Sequence, residues 1–271
     1  MQVCKVQFKE VGKRYFFNPN GILVSDGLQV VVETIRGLEL GVISGDLVEI
    51  ETPEIEVKNV VRIATNEDIK LYEQNKIDAL EVVKKTKEEV SKLNLDMKVL
   101  EAEYILDKTK LIIYFESEGR VDFRDLVKVL AEIYHVRIEL RQVGSRDGAK
   151  VFGGIGPCGL VVCCKTFITE FDTITVKMAK NQNLALNPVK ISGNCGKLLC
   201  CIGYEDETYK ELRKTAPDLG DIVEAPEGSA KVLACDPLNR TCKVKYIGDN
   251  EKFAYLTLDD IKFTKHEKNK E

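Results

Sequence analysis

Thr65-Asn-Glu-Asp68-Ile-Lys-Leu-Tyr72-Glu-Gln-Asn-Lys-Ile77-Asp-Ala-Leu80 opens the most regular stretch of the chain and decides its fold class. Thr65 to Asp68 supply helix-start residues with acids placed early, where the helix dipole favours them. From Asp68 to about Leu93, Ile69, Tyr72, Ile77, Leu80, Val83, Val90 and Leu93 follow helical spacing. Glu/Lys pairs four apart, such as Glu81 and Lys85, fill the other side, so the dense mixed charge of 68–98 is expected to be a solvated face. The segment 55–64 before this helix is β-rich, with Val57, Val60, Val61 and Ile63. After it, 97–106 and 110–116 read as strands, 122–134 as a second amphipathic helix, and 136–140 as an alternating strand. The order β-α-β-β-α-β predicts a split, ferredoxin-like arrangement, a topological name that carries no function.

The flanks are β-rich. Val3, Val6 and Phe8, then Tyr15–Phe17, a turn at 19–21, and runs at 27–33 and 38–43 suggest a small SH3-like module. Strands at 220–224, 230–234 and 241–246, with turns at 226–228 and 236–239, predict a second such barrel. The chain therefore reads as α+β. Its expected parts are an N-terminal β module (1–54), a ferredoxin-like domain (55–143), a cysteine-rich metal-cluster segment (144–205), a helical linker (206–215), a C-terminal β-barrel (216–264) and a charged tail (265–271).

Six of the nine cysteines lie in 144–205, as Gly156-Pro-Cys158-Gly-Leu-Val-Val-Cys163-Cys164 and Gly193-Asn-Cys195-Gly-Lys-Leu-Leu-Cys200-Cys201. Both copies read Gly-x-Cys-Gly-x3-Cys-Cys, and every cysteine recurs at an offset of 37. Thiolates are soft ligands for iron–sulfur clusters or zinc. Gly153, Gly154, Gly156, Gly159, Gly193 and Gly196 let the backbone approach a bulky centre and turn N–H groups toward sulfur. These glycines lack the spacing and the Lys-Ser/Thr ending of a phosphate loop.

Adjacent cysteines diverge, on a strand or a helix, so one residue of each doublet with Cys158 and Cys195 makes a four-thiolate site. That set suits one cubane cluster or one tetrahedral zinc, and two thiols remain. A spare thiolate would complete a second cluster with cysteines from a partner. A two-zinc, six-thiolate site and simple burial of the doublets are the competing accounts. Cys4, Cys235 and Cys242 sit in strand contexts and are expected to be packing residues. His135 and His266 have no nucleophile beside them in sequence, and the chain carries no triad, zinc-protease or kinase motif. No enzyme is expected.

Net charge is −4, yet residues 137–201 hold nine basic against four acidic side chains. That excess suits an RNA, an acidic protein or the negative charge of a thiolate cluster itself. Arg141, Arg146, Lys150 and Lys197 are the candidate contacts. The N-terminus lacks a signal-peptide pattern and no apolar run reaches membrane-spanning length, so a cytoplasmic, non-inserted protein with reduced thiols is expected.

Arg141-Gln-Val-Gly-Ser-Arg-Asp-Gly-Ala-Lys150, the Gly-Gly-Ile-Gly-Pro-Cys-Gly that follows at 153–159, 177–184, Asn187-Pro-Val-Lys-Ile-Ser-Gly193 and Cys195–Cys201 together resemble the RicT (YaaT) family. These bacterial proteins carry a C-terminal homology region first named for a yeast polymerase suppressor. The resemblance reaches to about residue 245. It implies a non-enzymatic subunit of a Ric complex, with RicA-like and RicF-like small helical partners and two [4Fe–4S] clusters. It further implies action with ribonuclease Y in mRNA maturation and turnover, and support of sporulation, competence and biofilm formation. Cluster ligation carries over only to Cys158, Cys163, Cys164, Cys195, Cys200 and Cys201. Leu160 departs from the pattern where a basic residue is common, a place Lys197 keeps in the second copy, and Gly148 stands where an acid is expected. A zinc-stabilised nucleic-acid-binding protein is the alternative function. Against it, aromatic residues do not interleave the basic ones of 137–201. An electron-transfer role lacks any flavin or nicotinamide motif.

Overall fold

In the computed structural model the described residues are 1–9, 11–51, 57–248 and 252–264, so the charged tail 265–271, with His266, and the strand start at Ile55 lie outside them. The chain divides into two compact units: Met1–Phe171 with Asn194–Lys197, and Asp172–Gly193 with Leu198–Glu271. Mixed α+β architecture is observed, as the sequence predicts.

The first unit opens with strands β1 (Gln2–Gln7), β2 (Arg14–Phe17), β3 (Gln29–Glu33), β4 (Leu38–Ile43) and β5 (Val48–Glu49). They form one sheet in the order β2-β1-β4-β3-β6, with β5 on β1 and β6 being Val60–Ile63. Alternation sends Cys4, Val6, Phe17, Val30, Val32, Ile43 and Val60 into one core. Gly41 is fixed there by space, because a Cβ at that position would lie 2.3 Å from a Val6 methyl.

Helix α1 (Asn66–Lys92) follows, capped reciprocally by Thr65 and Asp68. Strands β7 (Lys98–Tyr104) and β8 (Lys110–Glu116), helix α2 (Arg124–Tyr134) and strand β9 (Arg137–Gln142) complete the middle of this unit. Here the ferredoxin-like expectation needs correction. The element order is present, but the strands divide between two sheets. A split β-α-β-β-α-β sheet would hold the first strand among the others. Instead β6 pairs with β3, because Val60 is needed in the N-terminal core. The remaining sheet runs β7-β8-β9, and β9 lies parallel to β8 because α2 makes the crossover between them.

The helical phase also differs from the sequence reading. Ile77 and Leu80 are exposed, at 58% and 71%, while Asn75, Ala79, Val82, Thr86 and Val90 are buried. Asn75 belongs inward because its side-chain amide donates to the carbonyls of Ile105 and Leu106 at 3.3 Å. Ala79, Val82 and Val90 then meet Leu111, Ile113, Leu126 and Leu130 in one core. A fully buried aliphatic side chain of this kind stabilises by about 1.5–3 kcal/mol.

A half-buried polar network joins the two sheets of this unit. Lys9 pairs with Glu103 at 2.6 Å and Glu101 at 2.9 Å, Arg36 pairs with Glu39 and Glu103, and the Tyr114 hydroxyl donates to Glu103 at 3.0 Å. Burial works against the charge on Glu103, but Lys9 and Arg36 outweigh it and hold the carboxyl below its ordinary range. Burial and the same carboxylate push the Tyr114 hydroxyl up to about 12.

In the second unit, short helices α5 (Val176–Asn181) and α6 (Pro188–Ile191) precede α7 (Cys200–Lys214). Strands β10 (Ile222–Ala225), β11 (Gly228–Asp236), β12 (Thr241–Tyr246) and β13 (Phe253–Thr257) form a meander. A bridge between Glu224 and Lys262 brings the chain after β13 back to β10. Cys235 and Cys242 face each other across β11 and β12 inside this core, as packing residues should. Among the described residues, no helix is long and apolar enough to cross a membrane.

Candidate metal centre

The two cysteine motifs fold alike, down to their hydrogen bonds. In the first copy Ile155 bridges Val161, and the Val162 amide donates to the Gly154 carbonyl at 3.1 Å. In the second, Ser192 bridges Leu198 and the Leu199 amide donates to the Ile191 carbonyl at 2.9 Å. Each partner stands at the same offset of 37 that relates the cysteines. At each loop tip a glycine follows the first cysteine with positive φ, 82° for Gly159 and 74° for Gly196, which a side chain would strain. Val162 and Leu199 then take nearly equal backbone angles as N-caps, φ/ψ −53/132 and −56/130. The doublets thus begin helices, Cys163–Thr166 (α4) and α7. Each motif is a knuckle with one cysteine at its tip and a doublet at a helix start.

The first unit holds Cys158, Cys163, Cys164 and Cys195. Cys158 is exposed, Cys163 and Cys195 are half-buried, and Cys164 is buried. All nine cysteines are free thiols. Burial pushes the Cys164 thiol up, and the neighbouring Cys195 and Cys163 add to this while Lys150 opposes it. A metal bound at Cys164 must therefore displace its proton, coupling uptake to pH. Among the described residues, no three Cys, His, Asp or Glu side chains are grouped closely enough to hold a metal ion. The donor set nonetheless has the chemistry a thiolate metal requires: four reduced sulfurs in one unit, on loops whose glycines leave room around them.

Cys200 and Cys201 belong to the second unit, at the first turn of α7. That helix is seated by the segment before the second loop. Ala179, Ile191 and Ile202 share a core, the Gln182 amide donates to the Ile202 carbonyl at 2.6 Å, and Arg213 donates to the Asn181 carbonyl at 2.6 Å. The motif residues at 177–193 thus position the doublet.

The candidate basic contacts all lie in the first unit. Arg141, on β9, is engaged by Glu139 at 2.6 Å. Arg146, on the helix α3 (Ser145–Phe152), lies over the Phe171 ring at 4.8 Å. Lys150 favours the charged form of Cys164, and Lys197 Nζ approaches Gly144. A Cβ at Gly148 would lie 3.0 Å from Glu116 Oε2, so an acid there would meet a carboxylate. Gly153 ends α3 with φ 74°, and Gly156 donates its amide to Leu160 at 2.8 Å.

Two residues of this region escape a reading by composition. Asn194 donates its side-chain amide to the Ile155 carbonyl at 3.1 Å, tying the second loop tip to the first knuckle. The signal was the asymmetry of the repeat, Asn194 where the first copy has Pro157. Lys165 reaches the Val151 carbonyl at 3.2 Å and closes over Gly153.

Comparison with known proteins gives concordant results. Residues 58–143 match the PSP1 C-terminal conserved region, and 173–216 match the third domain of PSP1-like proteins. The chain is 44% identical over 261 residues to the stage 0 sporulation protein YaaT of Bacillus subtilis, covering 96% of this chain and 94% of that one. It is 48% identical over 50 residues to protein PSP1 of Saccharomyces cerevisiae, covering 18% of this chain and 6% of the yeast protein. An uncharacterised protein of Schizosaccharomyces pombe is 30% identical over 113 residues, 41% of this chain and 15% of that protein. No solved structure matches the chain.

Proposed function

We propose that this chain, which belongs to the family of the stage 0 sporulation protein YaaT, is a non-enzymatic iron–sulfur scaffold and specificity subunit of a Ric-type complex. The observation that carries this reading is the pair of matching knuckles, which supply Cys158, Cys163, Cys164 and Cys195 within one unit. Cys158 and Cys195 present tip sulfurs, and the doublets present sulfur at helix starts, where backbone N–H groups favour a thiolate. Lys150 offsets part of the negative charge beside Cys164. Cys163 and Cys164 are consecutive residues of α4 and diverge, so one of them joins Cys158 and Cys195, and the other, with Cys200 and Cys201, is left for ligation shared with partners. A bound [4Fe–4S] cluster supplies a centre sensitive to redox and iron state.

In this reading the chain works in the cytoplasm with RicA-like and RicF-like small helical proteins and with ribonuclease Y. It directs that nuclease in mRNA maturation and turnover, and through it supports sporulation, competence and biofilm formation. The test is to map transcript ends in cells lacking the chain and in cells lacking ribonuclease Y. Shared loss of specific processed ends is the expected result. Unrelated transcript changes in the two strains would overturn the assignment to that nuclease.

A further inference from the structure

The outer face of the C-terminal sheet carries a chemistry that the cysteine motifs do not explain. Core-facing Val223, Ala230, Val232, Cys242 and Val244 fix the alternation, so the residues between them point outward. Strand register then aligns Ile222, Lys231, Lys245 and Phe253 in one cross-strand row, and Lys243 with Tyr255 in the next. Tyr255 is 77% exposed and Phe253 50% exposed, which is high for large aromatic rings on a folded sheet. Lys243 Nζ lies 5.7 Å and 5.6 Å from the centres of these two rings, and Lys245 Nζ lies 5.7 Å from Phe253. No acidic residue occupies either row, and Glu224 and Asp236 stand in the rows that flank them.

We infer that this face is a binding site for single-stranded nucleic acid, with Phe253 and Tyr255 as stacking platforms and Lys231, Lys243 and Lys245 as phosphate contacts. Aromatic platforms interleaved with cations are what sequence-tolerant single-strand binding requires. Charge complementarity selects a polyanion, and the exposed rings select one with accessible bases. Spacing selects the single strand. Two residues along one face of a strand stand about 6.8 Å apart, twice the roughly 3.4 Å rise per base along a duplex strand. The two rings therefore suit bases splayed apart, which a duplex does not offer. The inference does not rest on the metal reading above.

The test is fluorescence anisotropy of the full chain with a labelled oligouridylate about a dozen nucleotides long, its deoxy counterpart and a duplex of equal length, across a salt series. Single strands are expected to bind and the duplex to compete poorly. An RNA preference would identify the source strand, and equal binding of the deoxy strand would show that backbone and bases suffice. The Phe253→Ala/Tyr255→Ala double variant should weaken binding at least about tenfold, whereas Tyr255→Phe retains it. Lys243→Ala should make the slope of log affinity against log salt shallower by about 0.7. Circular dichroism checks that these outward substitutions leave the fold intact. No single-strand binding at low salt, or equal binding by the folded double variant, would overturn the inference. So would equal competition by the duplex.

Discussion

Replacing Cys158 and Cys164 by serine, one at a time, separates ligation from folding because the two sulfurs differ in burial. Cys158 is exposed at a knuckle tip. Its serine variant loses almost no packing, and its stability should stay within about 0.5 kcal/mol of the parent. Cys164 is 5% exposed and is the second residue of α4. A hydroxyl placed there needs a hydrogen-bond partner and costs about 1–3 kcal/mol without one. If both sulfurs ligate metal, both variants should lose it, since disturbing even an outer-shell partner lowers metal affinity by about 10–100-fold. The assay pairs urea unfolding of the metal-free chains, where bound metal adds nothing to stability, with metal content per chain after anaerobic purification. The expected pattern is metal loss in both variants and a stability loss in Cys164→Ser alone. A Cys158→Ser chain that keeps its full metal content would refute the ligand assignment, however stable it proved.

The polar network predicts a pH effect with a definite sign. Glu103 is held below its ordinary range, so its contribution is present above about pH 4.3, the unfolded value, and is lost as pH falls through the folded one. Glu103→Gln should flatten the acid side of a stability profile and cost about 1–2 kcal/mol near neutrality. That is less than the roughly 3–5 kcal/mol of a fully buried pair, because the Lys9 side chain is 52% exposed. Urea unfolding between pH 3 and 7 reads both effects, and parallel profiles for parent and variant would contradict them. Gly41→Ala should destabilise by at least about 1–3 kcal/mol, since its Cβ would stand 2.3 Å from the Val6 methyl. An unchanged denaturation midpoint would show that β1 and β4 yield more easily than their packing implies.

Local signals in the sequence were strong where one element decides its own form. Thr65 and Asp68 mark the start of α1, the strand at 110–116 appears where alternation places it, and the strand expected at 136–140 runs over 137–142. The knuckle repeat was legible as spacing, and its hydrogen bonds keep the same offset. Sheet membership was not legible, because Val60 joins β3 through a pairing some thirty residues distant in sequence. Nor was the phase of α1, whose inward stripe includes Asn75 and Thr86 in place of Ile77 and Leu80. Polar residues on a buried face defeat a count of apolar positions. The outer face of the C-terminal sheet was hidden for a related reason. Lys231, Lys243, Phe253 and Tyr255 come together only through strand register, and no window of sequence contains them as a group.

The central claim concerns the sulfurs, and metal analysis of the anaerobically purified chain tests it most directly. The account predicts a brown protein in which iron and acid-labile sulfide are equal, about four of each for a cubane cluster. Both should fall together in Cys158→Ser and Cys195→Ser. A colourless chain that carries zinc, or one in which those substitutions leave iron and sulfide unchanged, would contradict it.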